Sequence, residues 1–303
     1  MMSTAAVKVG VALTDPEDWT AHAFVRNIEK RGAQPVPLNL STLSAAISAS
    51  EFSILDAAFK RLDLDALLVR DVGISVALEE IAVKHDLVKL FEASDIPVMN
   101  SSDAIQNAAN KFYSFYLFRR AGLPIPRTMV TADLAVAVKA VETFGTALAK
   151  PTFGSQGKGI LKFESAQRDL TAQLAALINE RGVLYLQEFV ANPGRDIRVF
   201  VVGDEALAAI YRVSSAGAYV SNLSQGGTPI ACTITAEIRD IAVRAAQAIR
   251  ADFAGVDLLE GADGMVVLEI NGTPSGKGIN RACGIDVTEK IVGHLFERLE
   301  AHS

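Results

Sequence analysis

Three oxygen-bearing side chains interrupt two otherwise apolar runs late in the sequence: Asp257 in Gly255-Val256-Asp257, and Glu269 and Asn271 in Val267-Leu268-Glu269-Ile270-Asn271. Burying carboxylates among Val, Leu and Ile is costly unless something positive compensates. Hard oxygen donors of this kind suit Mg2+, which takes one or two carboxylates together with waters and nucleotide phosphates. Side chains alternate along a strand, so Glu269 and Asn271 share a face. A three-residue hairpin loop Ala262-Asp263-Gly264, with Gly264 in the left-handed position, sets Asp257 opposite Glu269, and two like charges so placed call for a cation between them. Solvated ends of edge strands are the alternative.

A second group is basic. Lys150 closes an apolar strand and precedes Pro151-Thr152-Phe153-Gly154-Ser155-Gln156-Gly157-Lys158-Gly159. Glycines let backbone N–H groups approach phosphate oxygens, and a lysine arriving from the strand adds a point charge, so the stretch reads as a phosphate cradle, with a flexible turn as the alternative. It is not a Walker A loop, which needs Gly-Lys-Ser/Thr entering a helix, nor a dinucleotide fingerprint. Lys111 begins a helix, where a cation sits beside the positive end of the dipole. A ligand phosphate explains that placement; an ordinary surface lysine is the other reading. Gln187-Glu188-Phe189-Val190 ends a strand with an alternation able to meet an adenine edge through backbone and a ribose hydroxyl through carboxylate. Asp196-Ile197-Arg198 and Arg212 place guanidinium groups on strands, suited to bidentate recognition of carboxylate or phosphate, or else to cross-strand ion pairs. His22, His85, His294 and His302 lack neighbours at metal-ligand spacing, and no Ser or Cys stands in a nucleophile elbow. His85 reads as a partly covered helix residue.

The elements that must position these groups follow from periodicity and punctuation. The first hundred residues alternate Val7-Leu13 (strand), Thr20-Arg31 (helix, stopped by Gly32), Gln34-Leu38 and Asp65-Val69 (strands), Leu78-Ser94 (helix) and Pro97-Asn100 (strand), the rhythm of a small parallel α/β lobe. Ser102 and Asn110 read as N-caps of successive helices, the second running from Lys111 to Ala121 and closed by Gly122 and Pro124. From Ala147 the pattern becomes strand, glycine-rich loop, strand, then a helix near Asp169 to Glu180 and the strand Leu184-Val190. Ile197-Val202 and Ala206-Val213 flank Gly203-Asp204, a tight hairpin turn. Thr235 caps an amphipathic helix through about Arg250, and the pair Gly255-Leu259 and Met265-Asn271 follows.

With 303 residues, half of them apolar, the chain can bury cores in two or three lobes. The net charge of -6 and pI near 5.3 argue against a nucleic-acid binder, which needs a basic surface. No apolar run approaches a membrane span. Only Cys232 and Cys283 occur, which fits a reducing compartment and a cytoplasmic address. Val7-Leu13 is broken by Thr14-Asp15-Pro16 and reads as a strand, not a signal peptide.

Taken in order, these signals resemble the ATP-grasp superfamily, specifically its RimK-like α-L-glutamate ligases. The likeness runs from about Pro97 to Ile285. Its most specific pieces are Asn110-Lys111, Lys150 with the glycine-rich loop, Gln187-Glu188-Phe189, Asp196-Ile197-Arg198, Ser221-Asn222-Leu223 with Gly226-Gly227, Ala254-Gly255-Val256-Asp257 and Glu269-Ile270-Asn271. The resemblance implies an ATP-grasp fold of mixed α/β and α+β type: an N-terminal parallel lobe (1–100), a central lobe with a glycine-rich flap (101–187) and a C-terminal lobe with the metal site (188–303). It implies ATP contacts at Lys111, Lys150, Gly154, Ser155, Gln156, Gly157, Lys158, Gly159, Gln187, Glu188, Val190 and Asp196. Asp257, Glu269 and Asn271 match the ligands of two magnesium ions, for which manganese is a substitute. Arg198, Arg212 and Asn222 match positions near the transferred phosphate and the substrate carboxylate.

The activity implied is a carboxylate-amine ligation in which ATP activates an acceptor carboxylate as an acyl phosphate and the amine of L-glutamate displaces phosphate. A homo-oligomer, dimer or tetramer, is expected. Departures bear on the acceptor. Val220 and Ser224-Gln225 stand where relatives that modify a ribosomal protein carry basic residues, and Thr273-Pro274-Ser275-Gly276-Lys277-Gly278 replaces their usual segment after the metal-ligand Asn. That favours a small, carboxylate-bearing, pterin-like coenzyme as acceptor, with Arg70 and Lys277 as its expected partners and Lys277 among the catalytic residues. The alternatives are another ATP-grasp ligase (ribosomal-protein, lysine-biosynthesis or glutathione type) or a non-catalytic ATP-binding regulator.

Overall fold

The computed structural model describes residues 6–73, 77–152, 159–213 and 228–302. Gly154, Ser155, Gln156, Gly157 and Lys158 of the expected flap, and Val220, Asn222, Ser224 and Gln225, lie outside the described residues.

The chain opens as its alternation predicts. β1 (Lys8–Ala12), α1 (Trp19–Lys30) and β2 (Gln34–Leu38) are followed by β3 (Ser44–Ile47) and β4 (Phe52–Leu55), an antiparallel arm that periodicity does not announce. β5 (Ala66–Val69), α2 (Leu78–Glu92) and β6 (Val98–Met99) complete a parallel sheet ordered β2-β1-β5-β6. α3 (Ser102–Ala109) and α4 (Lys111–Arg120) come next. The cap of α3 is Ser101, whose hydroxyl accepts from Ala104 N, rather than Ser102, whose hydroxyl donates to the His85 carbonyl inside the lobe. His85 is itself buried against Ser102. Asn110 caps α4 through Tyr113 N, as its type predicts.

The central lobe is antiparallel. β7 (Thr128–Thr131), α5 (Leu134–Phe144), β8 (Thr146–Lys150), β9 (Leu161–Glu164), α6 (Leu170–Arg181) and β10 (Leu184–Glu188) form a sheet ordered β7-β10-β8-β9, with α5 and α6 on one face. Its core, built on Val141, Phe163, Leu174 and Leu186, is its own.

The third sheet is ordered β13-β12-β11-β14-β15 and antiparallel throughout. It contains β11 (Arg195–Val202), β12 (Glu205–Val213), β13 (Thr228–Cys232), β14 (Phe253–Gly261) and β15 (Gly264–Asn271), with α7 (Ala236–Ala248) before β14. α8 (Lys277–Cys283) and α9 (Val287–His302) end the chain. One face packs on α7 and on Phe115 and Phe118 of α4. The other face is apolar at one end, where Phe200, Val202, Ile210 and Phe253 share a core with Val9, Val11, Phe24 and Ile28 of the first lobe and Val287, Ile291 and Leu295 of α9. At its other end that face is polar, and the site lies there.

Asn100 locks the first and third sheets together. Fully buried, it donates from Nδ2 to the carbonyls of Phe253 (2.7 Å) and Gly272 (2.6 Å) and accepts through Oδ1 from Asp252 N and Phe253 N. Among the described residues no helix is long and apolar enough to cross a membrane.

Candidate active site

The hairpin that carries the oxygen donors reaches the expected register by an unexpected route. β14 and β15 turn through two residues, Ala262-Asp263, between the paired Gly261 and Gly264, rather than through three. Gly264 has φ 118°, a conformation that favours glycine. The register then slips between Leu258 and Asp257, leaving Leu268 as an extra residue, and this bulge restores Asp257 to its place opposite Glu269.

Around Asp257 the polar face is closely paired. Arg198, opposite on β11, donates from Nε to Oδ1 and from Nη2 to Oδ2 at 2.9 Å. Arg212 Nη2 lies 2.7 Å from the same Oδ2 while Nε and Nη2 each donate at 2.6 Å to the two oxygens of Asp196. Asp196, Arg212 and Asp257 are all buried. Burial pushes the Asp257 carboxyl up, but the two guanidinium groups outweigh it and hold the group below the usual carboxylate value. Burial in turn opposes the charge on Arg212, and the Asp257 and Asp196 carboxylates more than restore it, so its pKa is raised. Of the two readings of the arginines, the described contacts are the cross-strand ion pairs, two guanidinium groups against two carboxylates.

Two lysines reach this face from outside the third sheet. Lys111, first residue of α4, lies 3.2 Å from Glu269 Oε1. Lys150, at the end of β8, is buried and donates to Gln187 Oε1 at 2.5 Å. Burial lowers its pKa to about 8, although the Glu269 and Asp257 carboxylates favour its charge. The structure therefore brings Lys111, Lys150, Gln187, Asp196, Arg198, Arg212, Asp257 and Glu269 together where the central and third sheets meet. Asn271 joins them on the Glu269 face, its Oδ1 accepting from Thr273 N at 2.8 Å.

Other expected residues are engaged differently. Glu188 faces Arg127, which donates from Nε (2.7 Å) and Nη2 (2.5 Å) to its two oxygens, so the carboxylate expected at a ribose is held in an ion pair. The Val190 carbonyl accepts from Asn192 Nδ2 at 3.0 Å. Gly159 has φ 72° and its carbonyl accepts from Arg181 Nη2. Lys277 is exposed at the start of α8 and makes no ion pair among the described residues. Arg70 is not open to an acceptor: it donates to both oxygens of Asp18 at 2.7 and 2.9 Å and to the Thr273 carbonyl at 3.1 Å. It fixes the segment after Asn271 against the first lobe, helped by Thr20 and Ser275, whose hydroxyls lie 3.1 Å apart. Sequence reasoning missed Asn100, Arg127 and Tyr185. A lone Asn ending a short apolar strand was the one available signal for Asn100.

Oxygen donors test the fit of a divalent cation. Among the described residues no three His, Cys, Asp or Glu side chains group at metal-holding distance. The set offered is two cross-strand carboxylates and one amide on one face, hard donors of the number Mg2+ takes from protein alongside water and phosphate, and they fit it.

Residues 108–295 match the model of the RimK-like ATP-grasp domain. The chain is 43% identical to the tetrahydromethanopterin:alpha-L-glutamate ligase of Methanosarcina acetivorans, over 95% of this chain and 98% of that protein. It is 35% identical to the protein of the same description from Methanococcus maripaludis, over 94% and 97%. Among solved structures, the ATP-grasp ligase PsnB, complexed with minimal precursor, Mg and ADP, superposes with a TM-score of 0.74 at 22% identity, covering 96% of this chain and 98% of that one, a likeness of fold. Sequence order, sheet architecture and family match agree, and the chain belongs to the RimK-like ATP-grasp family.

Proposed function

We propose that the protein is an ATP-dependent ligase that joins L-glutamate to a carboxylate of a pterin-like coenzyme, of the tetrahydromethanopterin type, through an acyl phosphate. The observation that carries the chemistry is the convergence of Lys111 and Lys150 from the central region upon Glu269, Asp257 and two arginines of the third sheet. The choice of glutamate and of a pterin acceptor rests on the relatives whose names specify both.

In this reading Lys111 and Lys150 hold the ATP phosphates as point charges, and the 154–159 segment with Gln187, Glu188, Val190 and Asp196 completes the nucleotide site. Arg198 and Arg212, already aligned by Asp257 and Asp196, stabilise negative charge as the acceptor carboxylate attacks the γ-phosphate. Asn222 and Lys277 act beside them, Lys277 towards the acceptor. Attack of the glutamate amine on the acyl carbon then expels phosphate, and no covalent bond to the protein is needed. Asp257, Glu269 and Asn271 would hold two magnesium ions, which supply charge neutralisation on the phosphates when bound. We propose three lobes, 1–100, 101–187 and 188–303, and a homo-oligomer as the family resemblance implies, and a cytoplasmic setting from the two unpaired cysteines.

The test is ADP release with glutamate against tetrahydromethanopterin, other coenzyme acids and a ribosomal-protein tail, with products weighed. Release with the pterin and a product heavier by one glutamyl residue is expected. Release only with the ribosomal tail, or with lysine in place of glutamate, overturns the acceptor or the amino acid respectively.

A further inference from the structure

The two peptide units that follow Asn271 are each held by the first lobe. Asn271 Oδ1 accepts from Thr273 N at 2.8 Å, a side-chain turn that fixes which end of the amide meets the backbone, since only the oxygen accepts. That N–H belongs to the Gly272–Thr273 peptide, whose carbonyl accepts from the buried Asn100 Nδ2 at 2.6 Å. The next carbonyl along, that of Thr273, accepts from Arg70 Nη1 at 3.1 Å. One hydrogen bond leaves a peptide plane free to tilt about it, and the second contact, on the adjoining plane, removes that freedom. Arg70 can do this because it is fixed at both ends. It follows β5 directly, and its backbone N–H donates to the Ala12 carbonyl of β1 at 2.9 Å. Its Nε and Nη2 donate to the two oxygens of Asp18 at 2.7 and 2.9 Å, and Asp18 in turn caps α1 by accepting from Ala21 N at 2.8 Å. With two arms of the planar fork so engaged, Nη1 is aimed at the Thr273 carbonyl.

We propose that Arg70 is a positioning residue for the divalent cation: by holding the Thr273 carbonyl it keeps the Thr273 N–H on Asn271 Oδ1 and so fixes where that oxygen stands for the metal. The inference rests on the reading of Asn271 as a metal ligand. An amide oxygen has two lone pairs, so the bond from Thr273 N leaves one for a cation. Asp257 and Glu269 project from within paired strands and are placed by the sheet itself. Asn271 is the last residue of β15, so its side chain takes its orientation from the segment that follows. The first lobe thereby reaches the metal site without placing a side chain in it. Groups that orient a metal ligand in this way carry about tenfold or more of the metal affinity.

Water-proton relaxation by Mn2+, titrated onto the full chain with equimolar ADP, tests this without turnover, because metal on the protein relaxes water far more strongly than free Mn2+ or its ADP complex. Asn271→Ala is expected to weaken Mn2+ binding. Arg70→Lys keeps the charge beside Asp18 but lacks the planar fork that reaches the Thr273 carbonyl as well, and should weaken Mn2+ binding by about tenfold. The double variant should bind no more weakly than Asn271→Ala alone, since Arg70 acts through Asn271. If Arg70→Lys does not fold, Asp18→Asn still caps α1 but meets the fork through one oxygen only, and should shift the affinity in the same direction. With Asn271→Ala weakened, a folded Arg70→Lys of wild-type Mn2+ affinity overturns the proposal alone. So does a loss that adds in full to that of Asn271→Ala, which is what a purely structural clasp gives. A wild-type chain that does not bind Mn2+, or an Asn271→Ala titration like wild type, overturns the reading of Asn271 and the proposal with it.

Discussion

Asp257 accepts from two guanidinium groups while almost wholly out of water, so removing its charge leaves Arg198 and Arg212 without their shared anion. Asp257→Asn is expected to cost about 3 to 5 kcal/mol of stability, the range for breaking a buried ion pair, measured by denaturant unfolding at pH 7. The pH dependence has a definite sign. The folded carboxyl titrates below the ordinary carboxylate value, so its contribution is complete above that value and is lost as pH falls through the folded pKa. The variant should therefore lose less stability than wild type on acidification below that range. Glu269 is different, since it is partly exposed and, among the described residues, pairs with Lys111 alone. Glu269→Gln is expected to leave the melting temperature nearly unchanged and to lower turnover by about a hundred- to thousandfold, roughly 3 to 4 kcal/mol. Near-normal ADP production at saturating magnesium by that variant would remove Glu269 from the proposed metal site.

At the scale of elements, the turn between β15 and α9 is set by packing too tight for any side chain at Gly276. A Cβ there would come within 2.3 Å of Val287 Cγ2, although the backbone φ of -79° is open to any residue. Gly276→Ala should therefore destabilise by about 1 to 3 kcal/mol through overpacking, and Val287→Ala should relieve part of that loss in the double variant, a coupling that a thermal melt series reads directly. Elements of this kind also show what was legible beforehand. The parallel first lobe and the strands β14 and β15 could be read because apolar runs and glycine stops report local structure, and Asp257, Glu269 and Asn271 stand out as polar groups inside such runs. The three-residue loop was wrong by one residue while the Asp257 to Glu269 pairing was right, because a bulge is invisible to alternation. The β3–β4 arm has no strong period, and the commitment of Arg70 to Asp18 and Thr273 depends on residues 52 and 203 positions away, which no local pattern contains.

Across the whole molecule, the cores divide unequally. The central lobe has a core of its own, whereas the first lobe completes one of its faces with residues of the third sheet and α9. Hydrogen exchange should accordingly show 134–186 opening as one unit of lower stability than β1, β11 and β14, and ATP should slow exchange in that unit most. Equal protection in both regions, unchanged by ATP, would count against two units. The shared core also has a history in time. Val9, Val11 and Phe24 leave the ribosome well before Val287, Ile291 and Leu295, which cover them and lie far downstream in the chain. At ordinary rates of translation that interval is on the order of tens of seconds. Throughout it the nascent first lobe carries an uncovered apolar face, an exposure that the finished surface does not disclose.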